Sequence, residues 1–192
     1  MPGFNTRLRK RNSLGAVAVE AALVTPLFLL LVFGILEFGL LFKDWLAVSS
    51  SVRAGTRMAS AEPRVATFGA DAVAQVAREA SALNMGAIEE LWVYNAELDG
   101  TPVGGGGTFD SCSECIKYTW DASTSAFVEQ GGATWAHTNQ NACQGDPNRD
   151  SVGVYMEIKH SSITGLIFKD LTLSEHTVMG LEPIPATQGC KP

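Results

Sequence analysis

An apolar run close to the N-terminus dominates the hydrophobic pattern of the chain. Between Ala21 and Phe42, 17 of 22 residues are apolar, and Glu37 is the one charged residue among them. As a helix, residues 16–42 would rise about 40 Å, whereas about 20 residues suffice to cross the hydrocarbon core of a bilayer. The apolar region of a secretory signal is shorter, and residues 43–45 contain no convincing cleavage site. The run therefore predicts a membrane-spanning helix rather than a buried core helix or a cleaved signal.

The helical pattern continues beyond the apolar run. A stripe of small and apolar residues recurs at intervals of four, three and four positions: Val48, Val52, Gly55 and Ala59. Pro63 is the next residue that would break a helix. We therefore predict one helix over residues 16–62, half in the membrane and half outside it.

The rest of the sequence predicts a second helix and then strands. Residues 71–86 have an apolar face at helical spacing, and Asp71 is suited to the N-cap position. Four later segments have the composition or the alternation of strands: residues 91–96, 116–120, 152–160 and 171–178. This order predicts the α+β class, with a long N-terminal transmembrane helix that continues into a small exported domain, residues 63–192, in which an antiparallel sheet packs on the helix.

Two further segments carry predictions of their own. The four consecutive glycines at 104–107, in the loop-rich region 99–150, indicate a flexible linker. A phosphate-binding loop is excluded there because no Gly-Lys-Ser/Thr follows. Residues 163–168, ITGLIF, form a short apolar run, for which we predict a place in the core rather than an exposed contact surface.

Charge is distributed unevenly along the chain. Residues 1–15 contain four basic side chains and no acidic one, whereas residues 16–192 have a net charge of −10. Basic residues beside a membrane helix remain on the cytoplasmic side. We therefore predict a basic cytoplasmic leader, residues 1–15, and a single pass through the cell (inner) membrane, with the C-terminal domain on the extracytoplasmic side. The acidic body argues against a nucleic-acid partner.

All four cysteines belong to the predicted exported domain: Cys112, Cys115, Cys143 and Cys190. An even number of cysteines in an oxidising compartment predicts two disulfides that staple the loops, and three connectivities are possible. A zinc site is disfavoured because only one C-x-x-C motif is present. A thioredoxin-like centre is disfavoured because the βαβ context is missing.

The remaining polar residues predict neither a metal site nor a cofactor. Residues 146–157 imitate a calcium-binding EF-hand loop in part, but Ser151 occupies the position that requires glycine. His137, His160 and His176 are dispersed and form no triad or ligand spacing. Because the sequence contains no recognisable nucleophile or acid–base motif, we predict that the protein is not an enzyme.

The start of the apolar helix resembles a known family. Residues 15–26, GAVAVEAALVTP, and the continuation to Gly39 resemble the N-terminal motif of the TadE-like family, minor pilin-like proteins of Tad (Flp-type) pilus systems. Residues 150–165 and 171–183 also look TadE-like. By this resemblance, a prepilin peptidase would cut between Gly15 and Ala16, which makes Glu20 the fifth mature residue. Major Flp pilins have Glu-Tyr at this point, whereas this chain has Glu20 followed by Ala21, which favours the minor class.

The position of Glu20 is physically reasonable for a helical assembly. Cleavage would create a free amine on Ala16, one helical turn from the carboxylate of Glu20. In a bundle, that carboxylate can pair with the amine of a neighbouring subunit, because an unpaired charge in an apolar assembly is costly. The alternative is that Glu20 extends to the inner membrane interface. We favour the pair, which would also set the axial register between subunits.

The combined pattern predicts a structural protein. The expected function is that of a minor pilin or pseudopilin that supports assembly of a Tad-type pilus or a related secretion apparatus. Its expected partners are membrane lipid, pilin and other minor pilin subunits, and the prepilin peptidase. The alternative is an unprocessed single-pass anchor that presents an extracellular binding domain.

Overall fold

The computed structural model describes residues 14–132, 134–165 and 167–190. The four basic residues of the predicted leader lie outside the described residues. Helix α1 (Leu14–Ala61) is a continuous helix of 48 residues with Pro26 in its interior. The prediction of a long N-terminal helix is confirmed.

The second half of α1 packs on the domain through the stripe of small and apolar residues predicted from the sequence. Val48, Val52 and Ala59 are fully buried against the domain. Gly55 lies where α1 meets the second helix, and a Cβ added to it would stand 2.5 Å from Val76 Cγ2. Glycine is therefore required at this position by the close approach of two helices.

Helix α2 (Phe68–Glu79) packs along α1 and is extended by a short 3-10 turn, Ala80–Ala82. It begins three residues before the predicted Asp71 cap, which instead places its carboxylate in the first turn. An acidic side chain is favourable there because the helix dipole is positive at that end. Val73 and Val76, predicted on the apolar face, are buried.

Five antiparallel strands form one sheet in the order β3-β2-β1-β4-β5. The strands are β1 (Ile88–Ala96), β2 (Cys115–Asp121), β3 (Ala126–Gln130), β4 (Ser151–His160) and β5 (Leu171–Gly180). The antiparallel sheet and the α+β class are confirmed. A four-residue helix, α3 (Ala186–Gly189), follows the sheet.

Strand β1 is buried on both faces because two layers cover the sheet. Leu91 and Val93 face the core that α1 and α2 close, while Trp92 and Tyr94 face an aromatic cluster with Tyr155. Phe109 covers this second cluster, and its ring stacks 4.3 Å from that of Tyr155. Alternate residues of a strand point to opposite faces, so the 99–114 loop serves as a cover for the sheet.

Two details of the loops differ from the sequence predictions. Strand β3 was not predicted, because its five residues are largely exposed and pair only with β2 at the sheet edge. The glycines at 104–107 form tight turns rather than a flexible linker, with Gly105 N donating to Pro102 O at 2.8 Å. A Cβ on Gly105 would lie 2.4 Å from Thr108 O, so glycine is needed there for lack of space, whereas Gly106 and Gly107 have positive φ angles of 61° and 83°.

Candidate functional site: the apolar helix and its two carboxylates

The first turns of α1 contain the residues predicted to be cleaved by the peptidase and the carboxylate predicted to set the register between subunits. Gly15, Ala16 and Glu20 are all exposed. Glu20 is four positions after Ala16, which corresponds to a rise of about 6 Å along the helix. Among the described residues, nothing lies within 4 Å of a Cβ added to Gly15. Within the described part of the chain, the domain therefore leaves these three residues uncovered.

The membrane half of α1 exposes its apolar side chains around most of its circumference. The most apolar window of the helix is only 6% buried within the protein. The core helix of a globular protein would be mostly covered by its own chain. Large exposed side chains run along the whole segment, including Val17, Leu23, Leu27, Leu30, Ile35, Phe38 and Phe42. An apolar surface of this length fits a single-pass membrane helix.

Glu37 differs from Glu20 because the protein itself covers it. Its side chain is 1% exposed. Thr164 donates to Glu37 Oε1 twice, from its backbone N–H at 2.7 Å and from its hydroxyl. A carboxylate near the end of the apolar run could reach headgroups or water, but in this structure the protein's own chain covers Glu37.

The segment that reaches Glu37 is the apolar run between β4 and β5. We predicted it in the core, but Ile163 is 69% exposed and Ile167 is 40% exposed. Phe168 packs edge-on against Phe38, with ring centroids 5.5 Å apart. The core prediction is therefore wrong. The sheet core is already filled from α1 and α2, so this connection extends along the membrane half of α1.

Polar contacts fix the domain to α1 just beyond the apolar run. His160 Nδ1 lies 2.7 Å from Asp44 Oδ2, and His160 is buried at the end of β4. Trp45 Nε1 donates to Glu175 Oε1 on β5 at 2.6 Å. These contacts place the end of the sheet beside the first polar residues of α1, so the 161–170 connection is the part of the domain nearest the apolar run.

Further along α1, hydroxyl groups bind the sheet. Thr56 Oγ1 donates to Thr177 O at 3.1 Å, and Ser60 Oγ donates to Gly180 O at 2.7 Å. Ser60 thus bonds a carbonyl of β5, whereas the single proton of the Thr56 hydroxyl is shared between Thr177 O and Val52 O of α1, which is 2.7 Å away. Together with the Trp45 contact, these bonds join α1 to β5 between Glu175 and Gly180, which fixes the orientation of the domain on the helix.

The four cysteines lie at disulfide distance in two pairs. Cys112 pairs with Cys115, three positions away, and Cys143 pairs with Cys190, 47 positions away. This supports the predicted disulfides and selects one of the three connectivities. The first pair holds the turn before β2, and the second fixes the C-terminal segment to the loop before β4.

The other titratable groups that the structure describes lie in or beside the domain, away from the exposed apolar surface of α1. Within residues 14–132, 134–165 and 167–190, no group of three or more His, Cys, Asp or Glu side chains is arranged to hold a metal ion. Burial, reinforced by the nearby Asp71, raises the pKa of Glu62 at the end of α1. Burial likewise raises the pKa of Glu90, which faces Glu157 across the β1–β4 pair. These shifts follow from packing and like charges in the domain.

Comparison with known proteins finds a family similarity within the helix. Residues 15–57 match the TadE family, described as TadE-like protein. The N-terminal helix is TadE-like. The match ends inside the half of α1 that packs on the domain, so the likeness of residues 150–165 and 171–183 to TadE remains a prediction. Neither the curated proteins nor the solved structures include a match to this chain.

The sequence predicts the apolar helix and singles out Glu20, but it does not predict the contact at Glu37. The partner of Glu37 is Thr164, 127 positions later. The interruption of an apolar run by a carboxylate and the second apolar run at 163–168 were both visible. Their contact was not, because nothing in local periodicity relates two segments so far apart.

Proposed function

We propose that this protein is a minor pilin or pseudopilin-like structural subunit that supports assembly of a Tad-type pilus or a related secretion apparatus. One observation carries the proposal: within a TadE-like segment, the apolar face of α1 is left uncovered by the chain's own domain. Such a surface requires lipid or other apolar helices around it. Pilins and other minor pilins are partners that supply those helices.

The mechanism is storage in the bilayer followed by lateral helix association. The exposed side chains between Val17 and Phe42 are solvated by lipid acyl chains in the membrane. Without a hydrophobic driving force between helices in lipid, association depends on packing and on specific polar contacts. The function is structural and involves no turnover of a substrate.

Processing would prepare the helix for this association. A prepilin peptidase would cut between Gly15 and Ala16 on the cytoplasmic side of the inner membrane, where the basic residues of the leader would hold the N-terminus. The exposure of both residues supports access to the bond. The domain beyond α1 would then lie on the extracytoplasmic side.

The new amine of Ala16 would be the partner of Glu20 in a neighbouring subunit. Glu20 is exposed in the isolated chain and is surrounded by apolar side chains such as Val19 and Leu23. A charge in that position is stabilised when an opposite charge and further hydrogen-bond donors reach it. The pair would align neighbouring helices at one axial offset.

The N-terminus of the membrane-extracted protein tests the processing step. We expect mass spectrometry to find a mature chain that begins at Ala16, and Gly15→Ala to abolish cleavage. Gly39→Ala, the same change at an open position of the same helix, should leave cleavage intact. Retention of Met1 in the wild-type protein would favour the unprocessed anchor that presents a binding domain.

The register pair is tested by substitutions at Glu20. Glu20→Ala and Glu20→Gln should prevent incorporation of the subunit into sheared pili, while Glu20→Asp should retain part of it because the charge remains. Val19→Ala is the matched control and should assemble normally. Immunoblots of the membrane fraction establish that each variant is made and inserted. Normal assembly by Glu20→Ala would refute the pair.

A further inference from the structure

The connection between β4 and β5 reaches along the membrane half of α1. Its described residues, 161–165 and 167–170, are here named the proximal loop. Thr164 bonds Glu37, Phe168 packs on Phe38, and Ile167 Cδ1 would lie 3.0 Å from a Cβ added to Gly34. Three contacts over more than one helical turn fix the proximal loop against the apolar run.

These contacts lie below the level at which the apolar run ends. Phe42 is its last residue, and Lys43 and Asp44 begin the polar part of α1. Glu37 is five residues before Phe42, or about 8 Å along the axis, and Gly34 is about 12 Å before it. If the bilayer covers the run, the tip of the proximal loop lies at the boundary between headgroups and acyl chains.

The side chains of the proximal loop match that depth. Ile163 faces outward, and Ile167, although its Cδ1 touches α1 near Gly34, is still 40% exposed, so both continue the exposed apolar surface of α1. Thr164, at the tip, directs its N–H and hydroxyl inward to Glu37. Lys159 and Lys169 flank the apolar tip, and Lys159 lies 3.9 Å from Asp170. Apolar tips with basic flanks are typical of segments that lie in the membrane interface.

We propose that the proximal loop is a second membrane contact of this protein, inserted into the lipid interface on the domain's side through Ile163 and Ile167, with Thr164 capping Glu37. The partner is lipid. The contact explains why a carboxylate is tolerated inside the apolar run: the loop supplies donors that the hydrocarbon cannot. It also holds the domain at a fixed tilt on the membrane, because α1 and the proximal loop enter the lipid at two points.

Spin labels test the depth of the loop in the full chain. Single cysteines at Ile163, Leu98 and Leu30 are labelled in protein reconstituted into nanodiscs of phosphatidylcholine and phosphatidylglycerol. The four native cysteines are paired and leave the new thiol as the reactive one. Leu98 is fully exposed beyond the far end of β1, and Leu30 is exposed in the middle of the apolar run. Relaxation is measured with oxygen, which enters lipid, and with a water-soluble nickel chelate.

The expected result is an oxygen-to-nickel accessibility ratio at position 163 several-fold above that at position 98 and approaching that at position 30. A ratio equal to that at position 98 would place the loop in water and overturn the proposal. Protection from both reagents would indicate burial against protein, such as a second copy, and would also overturn it. A water-accessible label at position 30 would refute the membrane-spanning helix together with the loop contact.

Variants of Thr164 test the cap on Glu37 separately. In protein labelled at position 163, Thr164→Val removes the hydroxyl donor, whereas Thr164→Ser keeps it. We expect the ratio to fall in Thr164→Val, because the loop loses part of its attachment to α1, and to stay unchanged in Thr164→Ser. Equal ratios in both variants would show that the hydroxyl does not hold the loop at its depth.

Discussion

Glu20 and Glu37 are two glutamates of the same apolar helix, but their surroundings differ. Glu37 is buried and bonded by Thr164 of its own chain, whereas Glu20 is exposed. The two halves of α1 differ in the same way, because Val48, Val52 and Ala59 are covered by the domain and the side chains before Phe42 are mostly not. The side chains that the domain covers stabilise the monomer. The side chains that it leaves exposed are available to lipid or to other subunits.

Loss of the disulfide between Cys143 and Cys190 should reduce the stability of the domain that covers the second half of α1 more than any other change considered. Cys143→Ser opens a bridge that spans 47 positions, and loop-closure entropy predicts a loss of about 4 kcal/mol in the free energy of unfolding. Cys112→Ser opens a bridge that spans three positions and should cost about 2 kcal/mol. Denaturant unfolding of the full chain in detergent, followed by near-UV circular dichroism, measures both. A larger loss in Cys112→Ser would contradict the loop-length argument.

Glycine-to-alanine changes along α1 compare its two halves directly. Gly55→Ala should destabilise the domain by about 1–3 kcal/mol, because the added Cβ overlaps Val76 Cγ2 and approaches Ala72 O at 3.2 Å. Gly39→Ala is the matched control: among the described residues nothing lies within 4 Å of its Cβ, and stability should be unchanged or slightly higher. Thermal melts in detergent rank the two. Equal melting temperatures would mean that α1 and α2 are less closely packed than they are here.

Substitutions of the two carboxylates should differ in their effect on the free energy of unfolding. Glu37→Ala leaves the Thr164 donors without their acceptor and should lower the free energy of unfolding by about 1–2 kcal/mol. Glu20→Ala should leave it unchanged, because Glu20 is exposed. Hydrogen exchange of the proximal loop gives a local measurement and should accelerate only in Glu37→Ala. Faster exchange in Glu20→Ala would break the distinction between the two sites.

The smallest effect is the pH dependence from Glu62. Its raised pKa means that the folded protein binds a proton there more tightly than the unfolded chain does. Stability from this group is therefore fully present below the unfolded pKa and is lost as the pH rises through the raised folded pKa. Glu62→Gln should flatten the decline in melting temperature between acidic and neutral pH. A parallel decline in wild type and Glu62→Gln would show that Glu62 is not responsible.

The elements of this fold were predictable where local pattern decides them. The apolar run, the stripe at Val48 and Val52, and the segments of β1, β2, β4 and β5 are all recognisable from composition or periodicity within a few residues. Strand β3 was not predictable in this way, because it is short and exposed at the sheet edge. Its place comes from pairing with β2 through a tight turn in which Ser125 has a positive φ of 52°.

Local sequence pattern is sufficient to predict a long apolar helix, with a carboxylate in its first turns, before an acidic domain rich in strands. Tertiary packing sets the strand order β3-β2-β1-β4-β5, the pairing of Cys143 with Cys190 and the burial of Glu37 under Thr164. The physical reason is distance along the chain. Helical and strand periods are local properties, whereas a hydrogen bond across 127 positions exists only because the sheet places the end of β4 beside α1.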